Sequence, residues 1–279
     1  MKVARRGGKL FKRCKVGFKC TGRIKRMNLS ISRILSEAFV ELRENSRTLI
    51  VALAPPAIGI AMLAVWHAQQ PEQQLSVLGF VLLLPQMFLY ALFAVTCHRV
   101  ILLGRERLPN ALGVYASKEV WQYTGAMVAF TFISIVALML LAVFLGPIMM
   151  VLGPETGRVV TWGLMIAMGL LAIAVASRVI LLFPAMAIGA GQTLNDILDL
   201  SKPNWPRLAV LILASMVLTG LISWPLTWLT EVSGTPLAAV IPAFLNTLVG
   251  AYGVAVISCA YRAHMTQAEP VGDDVLEPS

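Results

Sequence analysis

The residues best equipped for chemistry in this chain are two arginines in near-identical settings. Arg99 opens "RVILLG" and Arg178 opens "RVILLF"; each stretch is followed by S-K-x-x-W, as Ser117, Lys118 and Trp121 and again as Ser201, Lys202 and Trp205. A guanidinium stays charged at any pH a protein meets, and its planar fork of donors matches a phosphate or a carboxylate bidentately. Each arginine follows a long apolar run and precedes four more apolar residues, so it must find an anion where bulk water is scarce. Three settings are open: a lipid phosphate, a carboxylate such as Asp196, Asp199, Glu37 or Glu106 on a neighbouring helix, or plain snorkelling to the headgroup layer. Lys118 and Lys202 supply ammonium groups that snorkel, and Trp121 and Trp205 supply indoles that anchor at the same level.

Other chemistry is sparse. Cys14 and Cys20 lie in a basic arm, and Cys97 and Cys259 at the ends of apolar runs facing a reducing compartment, so all four are expected as free thiols. A C-x5-C pair with no histidine nearby is a poor metal site. His67, His98 and His264 are scattered over different boundaries and read as interfacial polar residues. No G-x-S-x-G, H-E-x-x-H or P-loop pattern occurs. No catalytic residue, metal or cofactor is therefore expected, and the chain reads as non-enzymatic.

The elements that must position these groups are set by composition. With 58% hydrophobic and 13% charged residues among 279, the chain falls far from an average soluble domain, about 25% charged. A spanning helix needs about 20 apolar residues to cross a hydrocarbon core of about 30 Å. Six stretches qualify, 49–66, 75–97, 123–145, 159–177, 208–229 and 236–259, and their continuous rather than alternating apolar character favours helices over barrel strands. As bounded, they contain no Asp, Glu, Lys, Arg or His, so a proton relay or carboxylate ion site has no residues to use. Of the 23 Lys and Arg, 22 fall on one side of this hairpin pattern and only Arg158 on the other, which predicts cytoplasmic termini in a bacterial inner membrane.

Residues 1–28 form a basic arm with 11 Lys or Arg, no acid among the first 27, expected to be a disordered topology signal; Met27 would open a sensible shorter chain. So basic an arm beside a membrane meets anionic headgroups, each cation contributing about 1 kcal/mol, and nucleic acid is not expected as a partner. Residues 29–264 form the membrane domain, and the acidic tail 265–279 is expected to be disordered.

Three cytoplasmic helices are predicted beside the spans. In "SISRILSEAFVELRENSRTL" Ile31, Ile34, Leu35, Ala38, Phe39 and Leu42 form an apolar stripe at helical spacing. In "TLNDILDLSK" Leu194, Ile197, Leu198 and Ser201 share a face while Asp196 and Asp199 point away, and Thr193 with Asp196 makes a capping-box start. "NALGVYASKEVW" repeats the plan more weakly. The predicted architecture is thus an all-α integral membrane protein of six spans with amphipathic interfacial helices. Its unit, interfacial helix plus helical hairpin, is written repeatedly in the same orientation, and the ordered identity of RVILL and SKxxW favours common descent.

"SRVILLFPAMAIGAGQTLNDILDLSKPNWPRL" resembles the membrane domain that in some bacteria precedes a glycerophosphodiester phosphodiesterase, and related bacterial multi-pass inner-membrane proteins. The matching positions are Arg178, Pro184, Ala185, Ser201 and Trp205. Lys202 departs from the pattern, which often has Trp directly after Ser. The resemblance is specific only across Arg178 to Arg207, brings no phosphodiesterase barrel with it, and carries over no catalytic residue. Two function classes follow. One is a lipid-interacting scaffold or accessory factor, with anionic membrane lipids as partners and a protein partner or self-association open. The other is a transporter of an apolar or lipid-like substrate, suggested by prolines within the apolar runs.

Overall fold

The computed structural model describes residues 30–69, 77–104, 117–152, 154–233 and 240–268. The basic arm, and the tail from residue 269 on, lie outside them. Nine helices account for nearly all described residues, and no strand occurs among these. They are α1 (Ile31–Glu44), α2 (Ser46–Gln69), α3 (Val77–Leu103), α4 (Lys118–Leu152), α5 (Pro154–Val179), α6 (Leu182–Ala187), α7 (Leu194–Ser201), α8 (Trp205–Ser233) and α9 (Val240–Ala268).

Six of them are long and apolar enough to cross a membrane, with spanning portions Ser46–Trp66, Val81–Leu103, Lys118–Phe144, Glu155–Ala187, Trp205–Pro225 and Val240–Thr266. Within the described residues every apolar stretch of the sequence therefore becomes a helix, but the helices run on where hydropathy stops. α3 continues from Cys97 to Leu103, and α9 from Cys259 to Ala268, taking Met265 to Ala268 out of the expected tail. The expectation of spans free of ionisable groups is corrected accordingly: His98, Arg99, Arg262 and His264 all lie inside these two helices. A backbone ladder of i to i−4 bonds does not end at the first charge when the side chain finds a partner inside the bundle.

The packing is uneven along the bundle. α9 runs through the middle and touches α1, α2, α3, α6 and α8. The buried core lies at one end, built from Phe93 to Leu102, Leu181 and Ala185, Ile197, Leu208 and Leu211, and Ala251 to Tyr261. The spans alternate in direction, so the start of α2 and the ends of α3, α6 and α9 all gather here. By contrast the middle of α4 is bare, with Phe132, Ile133, Leu138, Met139 and Phe144 each more than half exposed. Apolar side chains can face outward like this where the solvent is hydrocarbon.

α1 turns Ile34 and Ala38 into this core, with Ile31, Leu35 and Leu42 packed beside them. Phe39, expected in the same stripe, is exposed instead. At 100° per residue it sits about 80° from Ile31, on the rim of a stripe wider than the strip of α9 it meets. Asn45 separates α1 from α2, its side chain donating to the Glu41 carbonyl at 2.9 Å.

Between α5 and α8 the chain makes its sharpest turns. Gly189 and Gly191 adopt φ of +66° and +69°, which strongly favour glycine. Past them, Thr193 caps α7 as expected: its Oγ1 accepts from the Asp196 amide, and its own amide donates to Asp196 Oδ2 at 2.8 Å. The Asp196 carboxyl is held below its ordinary value by the Thr193 hydroxyl bond first and the amide bond second. α7 buries Ile197 and Ser201, half-buries Leu198 and exposes Asp196, Asp199 and, at its first position, Leu194.

Candidate functional site

The core end of the bundle carries the polar groups, arranged as an interior seam and one outer corner. Arg99 is in the seam. Only 8% exposed, it donates through Nε to the Ala187 carbonyl at 2.8 Å and through a terminal nitrogen to Glu119 Oε2 at 3.0 Å. Its anion is thus a carboxylate, and none of the four weighed from sequence. Glu106 lies outside the described residues, Glu37 pairs with Arg33 at 2.8 Å, Asp196 caps α7, and Asp199 is exposed. Glu119 is the acid in the first turn of α4, favourably placed at the helix dipole. It stands inside the SKxxW motif itself, at one of the two positions the motif leaves open.

The interfacial reading of the histidines is corrected for two of them. His98 and His264 are 1% and 2% exposed. His98 Nδ1 lies 2.7 Å from Ser258 Oγ, while that hydroxyl donates to the Val254 carbonyl at 2.8 Å. Through that hydroxyl the imidazole of α3 is tied to α9. His264 Nδ1 contacts the Ala260 carbonyl at 2.8 Å and its Nε2 finds no partner among the described residues. The His67 side chain lies outside the described set. Cys97 and Cys259 are free thiols, buried between α3 and α9, and the Cys97 thiol donates weakly to the Ala251 carbonyl at 3.8 Å.

Two further bonds clamp the cytoplasmic-side helices of the sequence plan onto α9. Arg262 donates to Glu41 Oε1 on α1 at 2.7 Å, and Tyr261 Oη donates to Gln192 Oε1, just ahead of α7, at 3.0 Å. Neither pair announces itself in sequence, because the partners are separated by 221 and 69 residues.

The outer corner belongs to Arg178. This side chain is half-buried at the end of α5, with its guanidinium carbon 5.8 Å from the centre of the Trp205 ring, and forms no ion pair among the described residues. Lys202, at the end of α7, and Trp205 are both exposed beside the start of α8. The first copy of the motif is built differently: Lys118 is exposed, and Trp121, also exposed, leans its ring on Phe88 at 5.0 Å rather than on an arginine. Six residues singled out in sequence therefore divide into two groups, Arg99, Lys118 and Trp121 around the start of α4, and Arg178, Lys202 and Trp205 around the start of α8.

Among the described residues no group of three or more His, Cys, Asp or Glu is placed to hold a metal ion. No family model matches the chain, and neither a curated protein nor a solved structure matches it.

Proposed function

We propose that this multi-pass membrane protein is a lipid-interacting scaffold or accessory factor that binds anionic headgroups at the corner formed by Arg178, Lys202 and Trp205. The observation that carries this reading is the half-buried Arg178 guanidinium, set over an indole and paired with no carboxylate among the described residues. One face of the fork is satisfied by the ring, worth about 0.5–1 kcal/mol at an exposed site. The N–H edges still require an acceptor, and a lipid phosphate at the depth where indoles anchor provides a bidentate one. Lys202, three residues before Trp205 and exposed, supplies a second cation. The sequence count of 22 cations on one side of the hairpin pattern against one on the other supports a bacterial inner membrane with both termini cytoplasmic. Common descent of the two arginine segments belongs to the same proposal, supported by their meeting at one end of the bundle.

The test is direct. Arg178→Gln in the purified full-length protein should leave folding and orientation intact while stripping copurified phosphatidylglycerol in a native mass spectrum, and Lys at this position should restore it only in part. Unchanged lipid retention in the Gln variant rejects the headgroup site. Prolines inside four spanning helices, Pro55 and Pro56, Pro85, Pro147 and Pro225, favour a second reading, a transporter of a lipid-like substrate. Phospholipid scrambling by the protein reconstituted into vesicles would decide for that one.

A further inference from the structure

Below the Arg178 corner a cleft of about 450 Å³ runs between α8 and α9. Leu211, Ser215 and Gly220 form one wall, Gly253, Val256 and Ala260 the other, and Ile180 and Leu181, two and three residues past Arg178, close the end nearest the arginine. The lining extends along α8 from Leu208, three residues after Trp205, to Ser223. That is about 22 Å of helix, more than the depth of one leaflet of a core of about 30 Å. Both walls are spanning helices, so the cleft opens on hydrocarbon, and Met216 and Gly220 at its rim are exposed.

Its polar groups make no demand on an occupant. Ser215 Oγ donates to the Leu211 carbonyl at 2.9 Å, Thr219 Oγ1 to the Ser215 carbonyl at 2.8 Å, and Ser223 Oγ to Asn246 Oδ1 at 2.5 Å. Each hydroxyl has spent its single hydrogen, so what faces the cleft is apolar surface and weak acceptor. A polar head or a sugar would lose its water there without replacement; an alkyl chain loses nothing. Two glycines of the lining leave room for added side chains: a Cβ built at Gly220 or Gly253 meets nothing within 4 Å.

We infer that this cleft seats one acyl chain of an anionic glycerophospholipid whose phosphate is held by Arg178 and Lys202. The inference rests on the headgroup reading above and adds to it a chain seat, and hence a single, oriented lipid in place of a diffuse basic surface. Arg178 stands two residues before Ile180 and Trp205 three before Leu208, where the lining begins, so charge and apolar recess follow one another as headgroup and tail do in one leaflet.

The test uses the full-length protein in vesicles of phosphatidylethanolamine doped with phosphatidylglycerol or phosphatidylcholine, both probes carrying the same diazirine at the end of one acyl chain. Photolabelling of the unaltered protein should concentrate on the α8 and α9 walls, with phosphatidylglycerol ahead of phosphatidylcholine. Gly220→Leu and Gly253→Leu, each filling the recess, should cut cleft adducts several-fold with both probes, in protein that still elutes as a folded species. Arg178→Gln should lower phosphatidylglycerol labelling by about tenfold, the loss of a charged hydrogen bond, and phosphatidylcholine labelling by less, because the choline ammonium already neutralises the phosphate the two lipids share. Adducts spread evenly over the bare faces of α4 and α5 overturn the chain seat, even where Arg178 still governs phosphatidylglycerol retention and the headgroup reading stands. Cleft labelling equal for the two probes and indifferent to Arg178→Gln overturns the headgroup reading, and the anionic lipid with it. The labelling map needs no variant, so failure of a leucine variant to fold leaves the inference exposed to refutation.

Discussion

Two copies of RVILL, at Arg99 and at Arg178, reach the same end of the bundle and meet different fates. The first is folded into the interior, bonded to Glu119 and to the Ala187 carbonyl. The second stays at the edge, laid against Trp205. The motif that follows each copy supplies part of the reason: the first reads Ser-Lys-Glu-Val-Trp and the second Ser-Lys-Pro-Asn-Trp, so where Glu119 offers a carboxylate the other copy has Pro203. The rest comes from what the chain does next. After Leu103 the first copy ends at Gly104, whereas the second turns into α6, and it is the end of α6 that bonds Arg99. One copy's continuation thus completes the other's binding site. Identical local sequence specifies a need for an anion; the neighbours decide whether protein or membrane satisfies it.

The largest effect should come from breaking the interior site. Arg99→Leu leaves Glu119 and the Ala187 carbonyl without their partner; with Glu119 partly screened by its exposure, a loss of about 2–3 kcal/mol is expected. Thermal unfolding in detergent, followed by maleimide labelling of the buried Cys97 and Cys259, reads it out, and Arg178→Leu in parallel should shift the midpoint far less. Equal shifts would erase the distinction between the two copies.

Next comes Gly189→Ala. The φ of +66° disfavours a side chain by about 1–2 kcal/mol, and the new methyl would stand 3.3 Å from Glu119 Oε1. Destabilisation together with early exposure of Cys97 is expected. Gly104, whose φ is +78° with nothing near its Cβ position, is the control, showing backbone strain alone.

Arg178→Gln should reduce stability by less than about 1 kcal/mol, the worth of an exposed cation–π contact, while lipid retention falls. Pro203→Glu sharpens the same point, since it writes the first motif's acid into the second: if the contrast rests on that residue, Arg178 gains a carboxylate and phosphatidylglycerol retention drops with the arginine still in place.

The smallest effect concerns pH. Because the Asp196 carboxyl titrates below its ordinary value in the folded protein, the stability it contributes is fully present above the ordinary value of 3.8 and is lost as pH falls through the lowered one. Asp196→Asn should therefore flatten a shallow decline in stability below about pH 4 and change nothing at neutrality. An unchanged acid profile in that variant would show the capping box of α7 to be energetically idle.

How much of this was legible is itself instructive. Six spans follow from apolar length alone, because a hydrocarbon core of about 30 Å imposes a helix of fixed minimum length whatever the neighbours do. The start of α7 was readable for a related reason: Thr193 and Asp196 are three residues apart, and one helical turn brings them together without help from the fold. The demand of Arg99 and Arg178 for an anion also follows from the residue type and its apolar surroundings. What the demand would be met by did not. Glu119 reaches Arg99 from 20 residues away, Ala187 from 88, Ser258 reaches His98 from 160, and Glu41 reaches Arg262 from 221. Hydropathy is a property of neighbours in sequence, whereas a buried charge is stabilised by neighbours in space. Only the packing of α3 against α9, with α4 beside α3 and α6 against all three, could turn two residues that read as boundary markers, His98 and Arg99, into the interior of the protein.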